Sequence, residues 1–202
     1  LYAPFHKHGL MGEATRARLA ELWSAPRSAR PPARDRDDPV GASSRTQMGP
    51  DAPWVLALWV EAARQALGFP VAEGRVSGLL GFTLLGRCDP GPPVPAFVSS
   101  VAHAAFFATD WGARPQAVPA EARSHLEAKA PAWMQECRDR GDLDAWAELA
   151  LALACVDALE AAGDVEGVLR AAQRTDGSLP GRPQLAYHAT LTGALASSRP
   201  AC

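Results

Sequence analysis

The sequence lacks two common residue types and is poor in a third. It contains no isoleucine and no asparagine, and lysine occurs only at Lys7 and Lys129, so arginine supplies almost all of the positive charge. Isoleucine is a leading strand former, whereas the abundant alanine has the best helix propensity. The composition therefore favours helices over strands, and its bias towards alanine and arginine indicates a GC-rich coding sequence.

Further absences limit the partners and the compartment that we expect. The formal net charge is −2, which offers no basic surface for a nucleic-acid backbone. No uncharged apolar run reaches the roughly 18 residues of a membrane span, and the chain does not open with a signal-peptide pattern. The four cysteines form no CxxC pair and no dense disulfide pattern. We expect a cytoplasmic protein with no nucleic-acid and no membrane partner.

The pattern that is present is one helix after another. A chain of 202 residues that is 48% hydrophobic can bury one sizeable core, so we expect a single helical domain over residues 1–202. Asp51 is expected to cap a helix that has Pro53 in its first turn, and Pro131 is expected to interrupt another. Apolar spacing predicts helices at about 10–23, 51–67, 72–87, 96–110, 119–138, 142–162, 165–174 and 184–197.

The region from 25 to 49 predicts a mobile loop, because four prolines and clustered charges leave little apolar area to order it. Its Asp35-Arg36-Asp37-Asp38 run matches the DxDD acid of class II terpene cyclases. A general acid of that kind must be desolvated, and this run sits among polar residues, so we interpret the match as chance. His6 and His8 form an HxH pair that is more typical of a solvated chain end than of a metal site.

One turn motif links the sequence to a known architecture. Residues 169–179 read LRAAQRTDGSL, in which Gln173 can bond free groups at helix ends, Asp176-Gly177 supplies a positive-φ turn and Ser178 can cap the next helix. This segment resembles the QW-type repeat of the terpenoid-cyclase and protein-prenyltransferase α/α toroids. The alternative is that DGS is an ordinary turn between two helices. The resemblance implies an all-α toroid, a partial or small barrel of helical hairpins.

Isolated polar residues on apolar helices give the candidate site. His103 and Asp110 are two helical turns apart, and Asp144 and Glu148 are one turn apart. For each of these residues the alternative is a structural hydrogen bond, or for Asp144 a favourable position in the helix dipole. In the toroids that this chain resembles, the cavity opens near the N-terminal ends of inner helices and can hold zinc, which points to His188.

These residues are assigned three roles. We predict His188, Asp110 and Glu148 as catalytic residues, and Tyr187, Trp111 and Asp144 as substrate contacts. His103, Asp110 and His188 are predicted to hold a divalent metal such as Zn²⁺ or Fe²⁺, if the protein uses one. The convergence of these residues depends on the toroid, in which we expect the helix of residues 96–110 and the helix bearing His188 to share one cavity wall.

Two classes of function follow from this site. The first is an enzyme of natural-product biosynthesis that binds a small or peptide-like substrate in a central helical cavity, with or without a metal ion. The second is a non-catalytic helical binding or scaffold module, in which the same polar residues only satisfy buried hydrogen bonds. Metal content of the untagged protein distinguishes the two, because about one ion per chain favours the first class and no metal favours the second.

Overall fold

The computed structural model describes residues 49–91, 93, 95–180, 190 and 192–194. Over these residues the chain is helical and contains no β-strand, which confirms the all-α prediction. The predicted helix at 10–23 and almost all of the predicted loop at 25–49 lie outside the described residues. The α-helices are α1 (Ala52–Ala66), α2 (Arg75–Leu80), α3 (Pro95–Ala108), α4 (Ala120–Asp139), α5 (Leu143–Cys155) and α6 (Val165–Ala172).

Helices α3 and α5 form the centre of the core. In α3 only Pro95, Ala96, Ser99 and His103 are not fully buried, and in α5 every residue from Ala145 to Cys155 is buried. Both helices are apolar on almost every side, which is the pattern of a helix enclosed by others. Small alanines in both sequences allow their backbones to approach closely. The nearly uniform apolar pattern of residues 96–110 is therefore explained by burial.

The helices contact one another in an alternating order. Helix α1 packs against α3 and α3 packs against α5, while α2 lies against α1 and α3, and α4 lies against α5. This order is compatible with the array of hairpins that the toroid resemblance implies. Closure of the array into a ring remains a prediction, because the described residues include only a few from the last predicted helix.

Pro131 does not interrupt its helix, contrary to the expectation from sequence. Helix α4 runs without a break from Ala120 to Asp139 with Pro131 inside it. A proline removes one N–H donor and crowds the carbonyl of residue i−4, here Glu127. Pro131 is exposed, and Glu127 lies on the partly exposed side of the helix. Water can therefore bond the carbonyl that the proline leaves without its helical donor, and the helix continues.

The stretch predicted as one helix over residues 72–87 is helical only from Arg75 to Leu80. Beyond Leu80 the chain turns back over the end of α2. At Gly86 a Cβ atom would lie 2.0 Å from the Leu80 carbonyl oxygen, so only glycine fits there. Thr83 fixes this turn, because its hydroxyl donates to the Leu80 carbonyl at 2.7 Å and accepts from the Gly86 N–H at 3.1 Å. Gly86 therefore serves a tight reversal of the chain, and the single close-packed helix predicted for this stretch is wrong beyond Leu80.

Asp51 does not cap α1 with its side chain, although the predicted proline in the first turn is present. Its carboxylate is instead turned inward, where Oδ2 accepts a hydrogen bond from the backbone N–H of Leu84 at 2.6 Å. Asp51 is only 2% exposed. The residue therefore ties the start of α1 to the reversal after α2, a long-range contact that local sequence does not reveal.

Candidate functional site

His103 lies on the one side of α3 that is not completely covered. Its side chain is 23% exposed, and its Nδ1 atom lies 2.7 Å from the backbone carbonyl oxygen of Ser99, one turn earlier. A carbonyl oxygen can only accept, so Nδ1 is the protonated nitrogen of the ring. The Ser99 hydroxyl oxygen lies 3.2 Å from the same nitrogen. Helix α3 thus fixes both the tautomer and the orientation of the imidazole.

Glu148 brings a carboxylate from α5 to the same place. Its side chain is 6% exposed, and Oε1 lies 3.9 Å from Nδ1 of His103. This distance is too long for a hydrogen bond, but two opposite charges this close stabilise each other strongly away from bulk water. Burying a carboxylate costs several kcal/mol unless it has partners, so its position in an apolar helix is unusual. Of the predicted site residues that the structure describes, His103 and Glu148 form the close pair.

Aromatic rings surround the imidazole. The ring centroids of Phe106 and Phe107 lie 5.4 and 5.6 Å from that of His103. Trp111 stacks on Phe106 at 5.1 Å and meets Phe107 edge-on at 6.0 Å. The predicted substrate contact Trp111 therefore belongs to one aromatic cluster with His103. The two phenylalanines were not predicted as site residues, although their spacing of three and four from His103 places them on its side of the helix.

The turn after α3 has an uncommon backbone. Asp110, Trp111 and Gly112 follow one another with φ values of 50°, 56° and 76°. Left-handed conformations at residues other than glycine cost on the order of 1–3 kcal/mol each and cluster at functional sites. Thr109 secures the turn, because its buried hydroxyl donates to the Ala105 carbonyl at 2.7 Å and accepts from the Gly112 N–H at 2.8 Å. The strained backbone of this turn therefore holds Trp111 against the aromatic cluster.

This turn changes the interpretation of Asp110. The sequence predicts that His103 and Asp110 share one helix face, but α3 ends at Ala108 and Asp110 lies in the left-handed turn beyond it. Asp tolerates this conformation better than most residues. The spacing of seven residues therefore does not place the two side chains on one face. The catalytic and metal-binding roles of Asp110 remain predictions.

Asp144 occupies the first turn of α5, one turn before Glu148. Asp142 caps the same helix, because its carboxylate accepts from the Ala145 N–H at 3.1 Å. The positive end of the helix dipole stabilises the second negative charge that Asp144 places here, which is the structural role considered for Asp144 in the sequence analysis. A role in substrate binding stays a prediction for this residue.

The DGS segment forms the predicted turn. Gly177 has φ +84°, and the side-chain amide of Gln173 donates to its carbonyl at 2.8 Å. The Ser178 hydroxyl donates to the Asp176 carboxylate at 2.7 Å, and the helix that Ser178 was predicted to cap lies largely outside the described residues. The hydroxyl and backbone N–H of Ser178 lower the pKa of Asp176. Leu179, where the resembled family has an aromatic residue, is buried.

Tyr187 and His188 lie outside the described residues, as do His6, His8 and the Asp35-Arg36-Asp37-Asp38 run. In the part of the chain that is described, no three His, Cys, Asp or Glu side chains are arranged to hold a metal ion. The metal site of His103, Asp110 and His188 therefore stays a prediction. Among the described helices, none combines the length and apolar character needed to cross a membrane.

The fold and this site define an all-α protein whose two central helices bring a histidine and a buried carboxylate together beside an aromatic cluster. The chain belongs to the family described as "Domain of unknown function (DUF6895)", whose model matches residues 1–199. No curated protein and no solved structure matches the chain. The toroid resemblance accordingly rests on the turn motif and on the order of the helices.

Proposed function

We propose that this protein is an enzyme of natural-product biosynthesis that binds a small, partly apolar or peptide-like metabolite beside His103. The observation that carries the proposal is the His103–Glu148 pair, whose Nδ1 and Oε1 atoms lie 3.9 Å apart between the two most buried helices. Such pairs of titratable groups are typical of acid–base catalysis.

The proposal gives a role to each group. Because Nδ1 of His103 donates to the Ser99 carbonyl, Nε2 is the basic nitrogen of the neutral ring. A proton taken from the substrate at Nε2 would create an imidazolium, and the negative charge of Glu148 would stabilise it. The carboxylate therefore stabilises the charged ring without receiving the proton, while the Ser99 carbonyl orients it. Trp111, which packs on the buried Phe106 and is itself partly exposed, would contact the apolar part of the substrate.

A ligand panel tests this proposal. Small amines, carboxylic acids and short peptides with an apolar group are screened by thermal shift on the full chain. Ligand at about 100 times its Kd stabilises the folded state by about 2.7 kcal/mol, which raises the Tm by several degrees. We expect a compound that shifts the wild-type chain but not Trp111→Leu. Turnover of that compound, followed by mass spectrometry, should be lost in His103→Gln.

Glu136→Gln is the matched control, because Glu136 lies on the solvent side of α4 in an ion pair with Arg140. This variant should bind and convert the compound as the wild-type chain does. Binding that persists in both Trp111→Leu and His103→Gln would place the ligand elsewhere and contradict the proposal.

The proposal includes a metal-assisted form with Zn²⁺ or Fe²⁺ on His103, Asp110 and His188. Its test is the metal content of protein purified without a histidine tag. About one ion per chain that is lost in His188→Ala would support it. Absence of metal from the wild-type chain would contradict this form and favour the non-catalytic binding module.

The alternative of a non-catalytic binding module is favoured by one contact. The hydrogen bond from His103 to Ser99 lies within a single helix and satisfies the ring nitrogen as a structural histidine would. In that case His103→Gln, which keeps a donor, would leave ligand binding intact, and no compound of the panel would be converted.

A further inference from the structure

The turn that carries Trp111 is bonded both to its own helix and to a different one. Within the turn, the Trp111 N–H donates to the Phe106 carbonyl at 2.7 Å. The Arg114 N–H closes the turn by donating to the Thr109 carbonyl at 2.9 Å. The Arg114 guanidinium reaches further, because its Nη2 atom donates to the side-chain oxygen of Gln65 in the last turn of α1. The turn is therefore tied to α1 as well as to α3.

Helix α1 is a firm support for this contact, because it is held against the α3 region at both ends. Just before its first residue, the Gly49 N–H donates at 2.9 Å to the hydroxyl of Ser100, a fully buried residue of α3. At its other end, Gln65 meets Arg114 beyond the end of α3. Between these two points the inner face of α1 is buried in the core. A helix fixed in this way keeps the Gln65 side chain at a constant position relative to the turn.

The backbone of the turn depends on such a support. Asp110 and Trp111 have φ values of 50° and 56°, and strained conformations of this kind persist only where the surrounding contacts hold them. The Nε atom of Arg114 is buried and has no hydrogen-bond partner among the described residues, so water does not reach this part of the guanidinium. A hydrogen bond from a charged donor that is shielded from water is stronger than one in solvent. The contact with Gln65 can therefore oppose the strain.

We propose that Gln65 and Arg114 are positioning residues for the candidate site, whose hydrogen bond, here called the tether, sets where Trp111 lies beside His103. The consequence for substrate binding rests on the proposed function, in which Trp111 contacts the apolar part of the substrate. Helices α3 and α5 hold His103 and Glu148 themselves, so loss of the tether should leave this pair in place. The tether therefore determines substrate affinity, whereas the pair determines the chemical step.

The indole signals of the ligand-free chain test the tether without any substrate. In a proton–nitrogen correlation spectrum, the Trp111 indole signal is identified by its absence from Trp111→Leu. Its position is sensitive to the ring of Phe106, which is stacked on Trp111. Gln65→Leu removes the acceptor of the tether and keeps a good helix former, so we expect it to shift or broaden this signal. Gln65→Glu keeps an acceptor for Arg114 and should leave the signal close to its wild-type position.

Gln135→Leu is the matched control, because Gln135 is an exposed residue of α4 that donates a hydrogen bond to Asp139. It should leave the Trp111 signal unchanged. The signal of Trp146, which is buried in α5 and is assigned through Trp146→Phe, shows whether the core stays folded. A Trp111 signal that is the same in the wild-type chain and in Gln65→Leu would overturn the proposal. Equal displacement of the Trp111 and Trp146 signals would overturn it as well, because the effect would then be on the whole fold.

Kinetics with a compound that the wild-type chain converts then separate positioning from chemistry. Gln65→Leu should raise the KM roughly tenfold, the effect of losing one hydrogen bond to a charged group, and leave kcat near the wild-type value. Gln65→Glu should restore the KM, and His103→Gln should lower kcat instead. A lower kcat with an unchanged KM in Gln65→Leu would contradict the positioning role. Failure of every compound on the wild-type chain would count against the proposed function alone, because the Trp111 signal of the ligand-free chain decides the tether by itself.

Discussion

Helix α4 carries its charged residues on its solvent side, where Arg123 pairs with Glu127 and Arg140 pairs with Glu136, whereas helix α5 holds Glu148 inside the core. The two helices pack against each other, so the difference lies in which sides they expose. Charges of α4 remain in water and contribute little to folding. The carboxylate of α5 is removed from water, which costs several kcal/mol unless its partners offset the loss of hydration.

The largest expected effect is the loss of stability when a large side chain is removed from α5, which is fully enclosed, compared with a change on the exposed side of α4. Trp146 on α5 is 2% exposed and is the largest fully buried side chain described. Trp146→Ala removes its packing and leaves a cavity, so we expect a loss of about 3–5 kcal/mol in the free energy of unfolding, measured with urea. Ala132→Gly, at an exposed position of α4, should cost no more than about 1 kcal/mol. Similar losses for the two variants would contradict the proposed difference in enclosure.

A charged side chain should be as unfavourable on the inner, buried side of α4 as it is inside the core at α5. Burial, assisted by the negative charge of Asp142, raises the pKa of the Cys137 thiol from 9.0 to about 12. In the unfolded chain this thiol ionises near pH 9, whereas in the folded chain it stays protonated to about pH 12. The unfolded state therefore releases a proton first, and stability that is complete below pH 9 declines by up to about 1.4 kcal/mol per pH unit between these two values.

Comparison with Cys137→Ala separates the contribution of the Cys137 thiol to the pH dependence of stability from the contributions of other groups that titrate in alkali. The variant loses packing at every pH, but its stability should fall less steeply than that of the wild-type chain above pH 9. Equal slopes for the two proteins would show that Cys137 meets water in the folded state.

The smallest expected effect concerns the outer side of α4. Glu136 and Arg140 are both nearly half exposed, with the guanidinium 2.6 Å from the carboxylate. Glu136→Gln removes the charge and keeps the shape, and we expect a change within about 0.5 kcal/mol because exposed pairs contribute little. Urea unfolding at low and at moderate salt gives the measurement. A loss above about 1 kcal/mol would mean that α4 depends on its surface charges more than its exposure indicates.

The candidate site was predictable in its residue types but not in its geometry. His103 and Glu148 stand out in the sequence because each is an isolated polar residue on an apolar helix. Their distance of 3.9 Å depends on how α3 crosses α5, which no local pattern encodes. For Asp110, by contrast, the geometry inferred from the sequence was wrong. Helical spacing placed it on the His103 face, but α3 ends at Ala108 and the chain is in a left-handed conformation from Asp110 onward.

The sequence by itself determined that the protein is helical, because alanine-rich segments with apolar residues at helical spacing have no competing strand pattern. It also determined the turn at Gly177, since an Asp-Gly pair favours positive φ through interactions within a few residues. Only the tertiary structure decided that α4 continues through Pro131, that the Asp51 carboxylate accepts a hydrogen bond from the Leu84 N–H and that Glu148 lies beside His103. Each of these outcomes depends on solvent exposure or on contacts between residues distant in sequence, and such contacts are set by the packing of whole helices.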